Sequence, residues 1–285
     1  MPAVAEIPLS ELRSAQAGGV LSAAPQRPSS LTARTRVVPG GRLNVPIRVI
    51  AHPEPRGVYL HIHGGGWTIG TAEQADPFNI ELAEQLGVTV VSVDYRLAPE
   101  APYPAAPDDC EAAALWLVEH AEREFGTSRI IVGGESGGAH LSAVTLLRMR
   151  DRHGFTGFAA ANLVCGGFDL TLTPSARRWG DQPGLLNTST LNWFIDNFVP
   201  SADRRDPDVS PLFADLEGLP PAFFTVGTED PLLDDTLFMH ARWLASGNTA
   251  EIFVGPGGLH GFTVFPTELG VAALERANEF MGRYL

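Results

Sequence analysis

The sequence predicts one α/β domain spanning residues 1–285, built on a mostly parallel sheet with helices on both faces and a small helical appendage. Three observations carry that expectation. Short apolar, β-branched runs alternate along the chain with segments of helical periodicity. No internal repeat or low-complexity tract interrupts the alternation. A chain of 285 residues is also long enough to bury a full core as one large domain.

The elements follow in order. Residues 1 to about 35, rich in Ala, Ser and Pro, fit neither period. Strands are expected near 46–51 and 58–63, and the second of these, Val58-Tyr59-Leu60-His61-Ile62-His63, runs straight into Gly64-Gly65-Gly66-Trp67. Three successive glycines leave the backbone bare, as N–H donors must be if they are to reach the oxyanion of a tetrahedral intermediate. His61 and His63 share a strand face, which would suit a metal pair. No third ligand of suitable spacing accompanies them, and a histidine just before the glycines serves more simply by hydrogen-bonding the loop backbone. A helix near 75–86 leads to a strand near 88–93 and then to Asp94-Tyr95-Arg96. Asp94 and Arg96 read as part of an ion-paired tie between a loop and the N-terminus of the next helix, expected at 108–125.

The run Arg129-Ile130-Ile131-Val132-Gly133 is a buried strand by composition, and residues 137–150 have the pattern of a buried helix. Between them stands Gly134-Glu135-Ser136-Gly137-Gly138. A serine at a tight strand-to-helix turn, with small residues two positions to either side, is the pattern of a nucleophile elbow. The helix N-terminus beneath it favours developing negative charge. Gly65 and Gly66, with the N–H of Gly137 next to the nucleophile, are the expected oxyanion donors. A strand near 160–165 follows, then an irregular stretch from about 170 to 210 that carries Trp179, Trp193, Phe194 and Phe198. The remaining strands are expected near 221–227 and 250–254, and helices at 233–246 and 268–284.

His63-Gly64-Gly65-Gly66-Trp67, Asp94-Tyr95-Arg96-Leu97-Ala98-Pro99-Glu100, Tyr103-Pro104-Ala105-Ala106-Pro107-Asp108-Asp109 and the serine elbow resemble, in order and spacing, the bacterial hormone-sensitive-lipase-like branch of the α/β hydrolases. The resemblance spans about residues 55 to 265 and implies the α/β-hydrolase fold. It also implies a cap over the active site formed by segments 1–35 and 170–210, where the sequence alone would equally allow surface helices packed on the sheet edge. One departure stands out: the commonest elbow of that family has Asp before the serine and Ala after it, whereas this chain has Glu135 and Gly137.

A serine hydroxyl needs a general base, and the base needs an orienting carboxylate, in the chain order Ser, Asp or Glu, His. His240 lies inside a helical pattern, whereas His260 lies in Gly255-Pro256-Gly257-Gly258-Leu259-His260-Gly261-Phe262, expected as a loop after a strand, where this architecture places its chemistry. The His-Gly-Phe triplet matches the family's habit. Glu229, Asp230 and Asp234 compete for the acid; Asp230 sits at the strand end and resembles the family's Asp-x-Leu pattern. Glu229 is then a solvated neighbour and Asp234 a helix cap or a support for the acid loop. Cys110 and Cys165, in apolar surroundings and without an elbow, read as packed thiols.

A net charge of −13 excludes a general nucleic-acid-binding surface. The basic residues are all arginine, so Ser-Lys and Schiff-base chemistry are excluded too. Two widely spaced cysteines make no disulfide framework, and neither a basic-apolar leader nor a membrane-length apolar stretch is apparent, which points to the cytoplasm without stable membrane association. The expected activity is hydrolysis of small short-chain acyl esters by Ser136, His260 and Asp230, with no cofactor and no metal; a homodimer is left open. An amidase or formamidase would use the same machinery on a poorer leaving group. Outside the enzymes, the alternative is a ligand-binding receptor on this fold, which the presence of all three triad positions argues against.

Overall fold

The computed structural model describes residues 7–17, 29–40, 44–182 and 185–285. Eight strands form one sheet: β1 (Ala33–Val38), β2 (Val45–Ile50), β3 (Gly57–Ile62), β4 (Val88–Val93), β5 (Ile130–Glu135), β6 (Ala160–Val164), β7 (Ala222–Glu229) and β8 (Ala250–Leu259). Their order is β1-β2-β4-β3-β5-β6-β7-β8. From β4 to β8 every neighbouring pair is parallel, while β2 runs antiparallel to both β1 and β4. The two parallel strands β3 and β4 are buried along their whole length, including Tyr59, His61, Thr89 and Ser92, because helices cover both faces of the sheet there.

The described residues also form eight α-helices: α1 (Leu9–Ala17), α2 (Asp76–Leu86), α3 (Ala105–Phe125), α4 (Gly137–His153), α5 (Pro174–Arg178), α6 (Thr188–Phe198), α7 (Leu233–Ala245) and α8 (Glu268–Gly282). The alternation of side chains along the strands sorts them into two cores. Val58, Leu60 and Ile62 of β3 pack with residues of α3, α4 and α7, whereas Tyr59 packs with residues of α2 and α8 on the other face. None of these helices is long and apolar enough to cross a membrane. α4 is buried on nearly all sides as far as Met149 and stops at Gly154, whose positive φ of 64° suits a residue without Cβ.

Two features depart from the sequence expectations. β1, inside the part of the chain assigned to an appendage, is an edge strand whose side chains are mostly exposed, so it carries no apolar pattern to read. Residues 1–6 and 18–28 of that expected cap segment lie outside the described residues. β8 does not end at Val254 but continues through Gly255-Pro256-Gly257-Gly258 to Leu259, with a bulge opposite β7 between Gly227 and Glu229. The glycines there serve close approach rather than a loop: a Cβ on Gly227 would lie 1.9 Å from the Gly258 carbonyl oxygen.

Arg148 binds several of these pieces together. Its guanidinium, on a residue only 3% exposed, donates to Asp208 (2.7 and 2.5 Å), Asp108 (2.8 Å) and Glu111 (3.0 Å). It thereby fixes α4 to α3 and to the turn that follows α6. Three carboxylates outnumber this one buried cation, and Arg152, which pairs with Glu111 (2.7 Å) and Asp208 (3.5 Å), offsets part of the excess; removing Arg148 would leave the carboxylates facing one another.

Candidate active site

β5 delivers Ser136 into a turn where its backbone takes φ 55° and ψ −119°, a region that bulky residues avoid. The geometry has a steric cause. A Cβ on Gly134 would lie 2.0 Å, and one on Gly138 1.9 Å, from the carbonyl oxygen of Ile62 at the end of β3. With both positions bare, β5 and the first turn of α4 close onto β3, and the serine hydroxyl projects from the apex.

Three side chains from three strand ends meet there. Ser136 Oγ donates to His260 Nε2 at 3.0 Å, and His260 Nδ1–H donates to the Asp230 carboxylate at 2.9 and 3.1 Å. Asp230, which directly follows β7, is fully buried and accepts a further bond from the Leu232 N–H (2.8 Å). His260 directly follows the extended β8. Burial by itself would lower the imidazole's pKa; the Asp230 carboxylate overrides this, with Cys165 adding to it, and holds the ring well above its ordinary 6.5. These contacts have the geometry of a Ser-His-Asp triad, able to deprotonate the serine as it attacks and to return the proton to a leaving group.

The competing residues fall elsewhere. Glu229 is exposed. Asp234 neither holds His260 nor caps its own helix: it accepts the Ser175 N–H (2.7 Å) and so fastens the start of α5. His240 packs edge-on against Phe224. Cys110 is buried as expected, but Cys165 is misread by its apolar neighbours in sequence: the C-terminal end of β6 brings it beside Asp230 and His260, in the wall of the pocket.

The glycine loop lies opposite the serine. Gly65 and Gly66 take φ 115° and 54°. A Cβ on Gly65 would meet the Ile69 carbonyl oxygen at 2.1 Å, and one on Gly66 would enter the Phe194 ring at 2.4 Å. From Gly137 the Gly66 nitrogen is only 3.3 Å beyond where a Cβ would stand, so these two backbone nitrogens flank one small space. His63 shapes the loop as its position suggests: Nδ1–H donates to the Gly64 carbonyl (2.8 Å) while the ring stacks on Tyr95. Arg96 makes a bidentate pair with Asp109 in the first turns of α3, and Asp94 instead accepts the Ala72 N–H, so the tie runs between Arg96 and the helix.

Glu135 has a role that no sequence pattern announces. One carboxylate oxygen accepts the Gly64 N–H at 2.7 Å, and the other accepts from His61 Nε2 at 3.2 Å. His61 Nδ1 in turn accepts from Ser92 Oγ (2.8 Å) and Asn79 Nδ2 (3.1 Å), which places its proton on Nε2. Burial would raise the Glu135 pKa, but His61 and the Gly64 N–H outweigh it and keep the carboxyl below its usual 4.5. The residue before the nucleophile therefore grips the loop that faces it. Trp67 anchors the loop's other end: its Nε1–H donates to His140 Nδ1 (3.1 Å), whose Nε2–H donates to the Val209 carbonyl, and its indole stacks on Phe198. Burial lowers the His140 pKa to about 4, so the ring stays neutral and can accept.

A cavity of about 400 Å³ opens from Ser136 between the loop and α6, with a largely apolar lining that includes Leu172, Leu186, Leu191, Phe194, Ile195 and Leu232. Asn187 caps α6 through the Thr190 N–H, and Leu191, Phe194, Ile195 and Phe198 recur on its buried face.

Comparison with known proteins gives one family. A profile of the α/β-hydrolase fold matches residues 59–264. A carboxylesterase of Mycobacterium tuberculosis is 37% identical over 256 residues, covering 83% of this chain and 80% of that protein. An acetyl esterase of Salmonella paratyphi B is 30% identical over 85% of this chain and 77% of its own length. Among solved structures, an esterase of Pyrobaculum calidifontis superimposes with a TM-score of 0.90 at 28% identity, over 99% of this chain and 95% of that one.

If Glu135 positions the glycine loop, Glu135→Ala should lower kcat by roughly 10- to 100-fold with KM little changed, because a loop displaced by about 1 Å weakens oxyanion contacts more than ground-state binding. Glu135→Asp, which keeps a carboxylate, should recover much of the loss. Steady-state kinetics on both variants checks this; an Ala variant with unchanged kcat would show that the loop stands without its carboxylate.

Proposed function

Because the chain belongs to the hormone-sensitive-lipase-like esterase family of the α/β hydrolases, it is a carboxylic-ester hydrolase, and we propose that it works through Ser136, His260 and Asp230 on small esters with short acyl chains. The unbroken contact chain from Asp230 through His260 to Ser136, opening on an apolar cavity, is the observation that carries the reading.

In this mechanism Ser136 Oγ attacks the ester carbonyl carbon as its proton passes to His260 Nε2. Asp230 keeps the imidazole in the required tautomer and stabilises the imidazolium. The carbonyl oxygen, now an oxyanion, receives hydrogen bonds from the Gly65, Gly66 and Gly137 N–H groups. Collapse of the tetrahedral intermediate breaks the bond to the alkoxy oxygen, which leaves as the alcohol with the proton from His260. A water molecule deprotonated by the same histidine then attacks the acyl-serine, and the second collapse returns the proton to Ser136 and releases the acid.

Residues of α5 and α6, together with α1, act as the cap in this proposal. Phe194 fills the space above Gly66, Phe198 covers Trp67, and Arg13 of α1 donates to the Thr68 carbonyl (3.0 Å) just beyond the glycine loop. A roof so tied to the oxyanion loop favours a closed pocket of fixed volume over a lid that opens at an oil surface. The two free, buried cysteines suit a cytoplasmic setting.

Two outcomes test this reading. Activity requires the neutral imidazole, so kcat/KM should rise with pH through a limb above 6.5, the direction in which Asp230 shifts His260. In Asp230→Asn the carboxylate that opposes burial most is gone, and the limb should move to lower pH while the plateau falls by roughly 10³- to 10⁴-fold; a limb that stays in place would remove Asp230 from its role. For the substrate, kcat/KM measured on p-nitrophenyl esters from acetate to palmitate should rise by at most about tenfold per methylene, from roughly 0.8 kcal/mol of transfer free energy plus packing. It should peak at or below about six carbons, the limit that the closed roof over this pocket sets in the proposal. A peak at about twelve carbons or more would contradict the closed roof, and faster turnover of an anilide than of the matching ester would transfer the preference to amides.

A further inference from the structure

Cys165 takes no part in the ester mechanism, yet it stands against it. It follows β6 with a left-handed backbone, φ 42°, held by its N–H to the Thr225 carbonyl (2.7 Å), and only 2% of the residue is exposed. The residue stands in the pocket wall, with its thiol beside Asp230 and His260. One donor atom each from Cys165, Asp230 and His260 lie within 4.8 Å of one another, the single such cluster of three metal-ligating side chains among the described residues. We infer that Cys165, Asp230 and His260 form an inhibitory binding site for one soft divalent cation such as Zn²⁺ or Cd²⁺.

The donor set fits that class of ion. A thiolate, an imidazole and a single carboxylate suit zinc and cadmium, whereas Mg²⁺ and Ca²⁺ require mostly oxygen ligands that the trio does not offer. Tetrahedral coordination sets neighbouring donors about 3.5 Å apart, so His260 Nδ1 and the Asp230 carboxylate, 2.9 Å apart, open by about half an ångström around the ion, and no pair of donors has more than about 1.3 Å to close. Charge balances as well. On binding, the thiol releases its proton to solvent, and the thiolate and the Asp230 carboxylate together neutralise the +2 ion in a buried place.

Inhibition then follows from the tautomer, a consequence that rests on the triad reading above. Nδ1 is the ring nitrogen facing Asp230, and an ion bound there moves the imidazole proton to Nε2. The ring would then present an N–H to Ser136 in place of the lone pair that takes the serine proton. An ion on Nε2 would occupy that lone pair directly. Either way the base is lost while the acyl pocket stays open.

The test is a titration of the metal-free, full-length protein with CdCl₂, following the ultraviolet thiolate-to-cadmium charge-transfer band and, in parallel, ester hydrolysis. Expected is one Cd²⁺ per chain, loss of activity over the same concentration range, and full recovery with EDTA. Cys165→Ser and Cys165→Ala should both lose the band, and each should need at least roughly tenfold more Cd²⁺ for half-inhibition relative to its own metal-free rate. Cys110→Ser should keep the wild-type band. Ser136→Ala should retain the band while turnover disappears, which separates failure of this site from failure of the triad reading. Absence of the band in the wild type, its persistence in both Cys165 variants, its loss in Cys110→Ser, unchanged inhibition in both Cys165 variants, or equal inhibition by Mg²⁺ would each overturn the proposal.

Discussion

The contact between the end of β3 and the turn after β5 sets the limits for everything around it. The Ile62 carbonyl oxygen occupies the space where a Cβ of Gly134 or Gly138 would go. Only with both positions bare can the strand, the turn and the first residues of α4 close to this distance. That closeness places Ser136 at an apex with a positive φ, puts the Gly137 nitrogen beside Gly66, and brings Glu135 within reach of Gly64. The proposed nucleophile and oxyanion donors thus sit on one rigid corner of a parallel sheet, at the carboxyl ends of its strands, where α/β folds gather their ligands.

Electrostatics follows from that corner. The half-buried carboxylate of Glu135, just before Ser136, would be costly alone; His61 and the Gly64 N–H compensate it, and in doing so it ties two strands of the site together. Asp230 does the corresponding work on the other side, where it raises the basicity of a ring that burial would otherwise weaken. Farther out, Arg148 joins α4, which begins at the nucleophile, to α3 and to the turn below α6. The pocket roof and the nucleophile helix are therefore fixed to each other by a buried cation as well as by the Trp67 and Phe198 rings.

The sheet and the meeting of Ser136, His260 and Asp230 were legible in the sequence because they are written locally: β-branched runs, glycines at fixed offsets from a serine, and a carboxylate and a histidine at successive strand ends. What escaped is non-local or sterically encoded. Glu135 and His61 are 74 positions apart, and nothing in either segment announces the partner. The glycines after Val254 look like a loop in one dimension and become a strand only once the Gly227 backbone presses against Gly258. β1 is exposed at a sheet edge and so lacks an alternating pattern. Cys165 has apolar neighbours along the chain but lies beside two triad side chains in space, because parallel strands bring their ends together irrespective of sequence distance.

The central claim is that Ser136 is the nucleophile of an acyl-transfer site. Reaction of the protein with an activated organophosphonate, followed by intact mass measurement and peptide mapping, tests it most directly, since the phosphonyl group stays on the oxygen that attacks. One adduct per chain on Ser136, formed in step with loss of ester hydrolysis, is the expected result. An adduct on another residue, or hydrolysis that continues after Ser136 is fully modified, would contradict it.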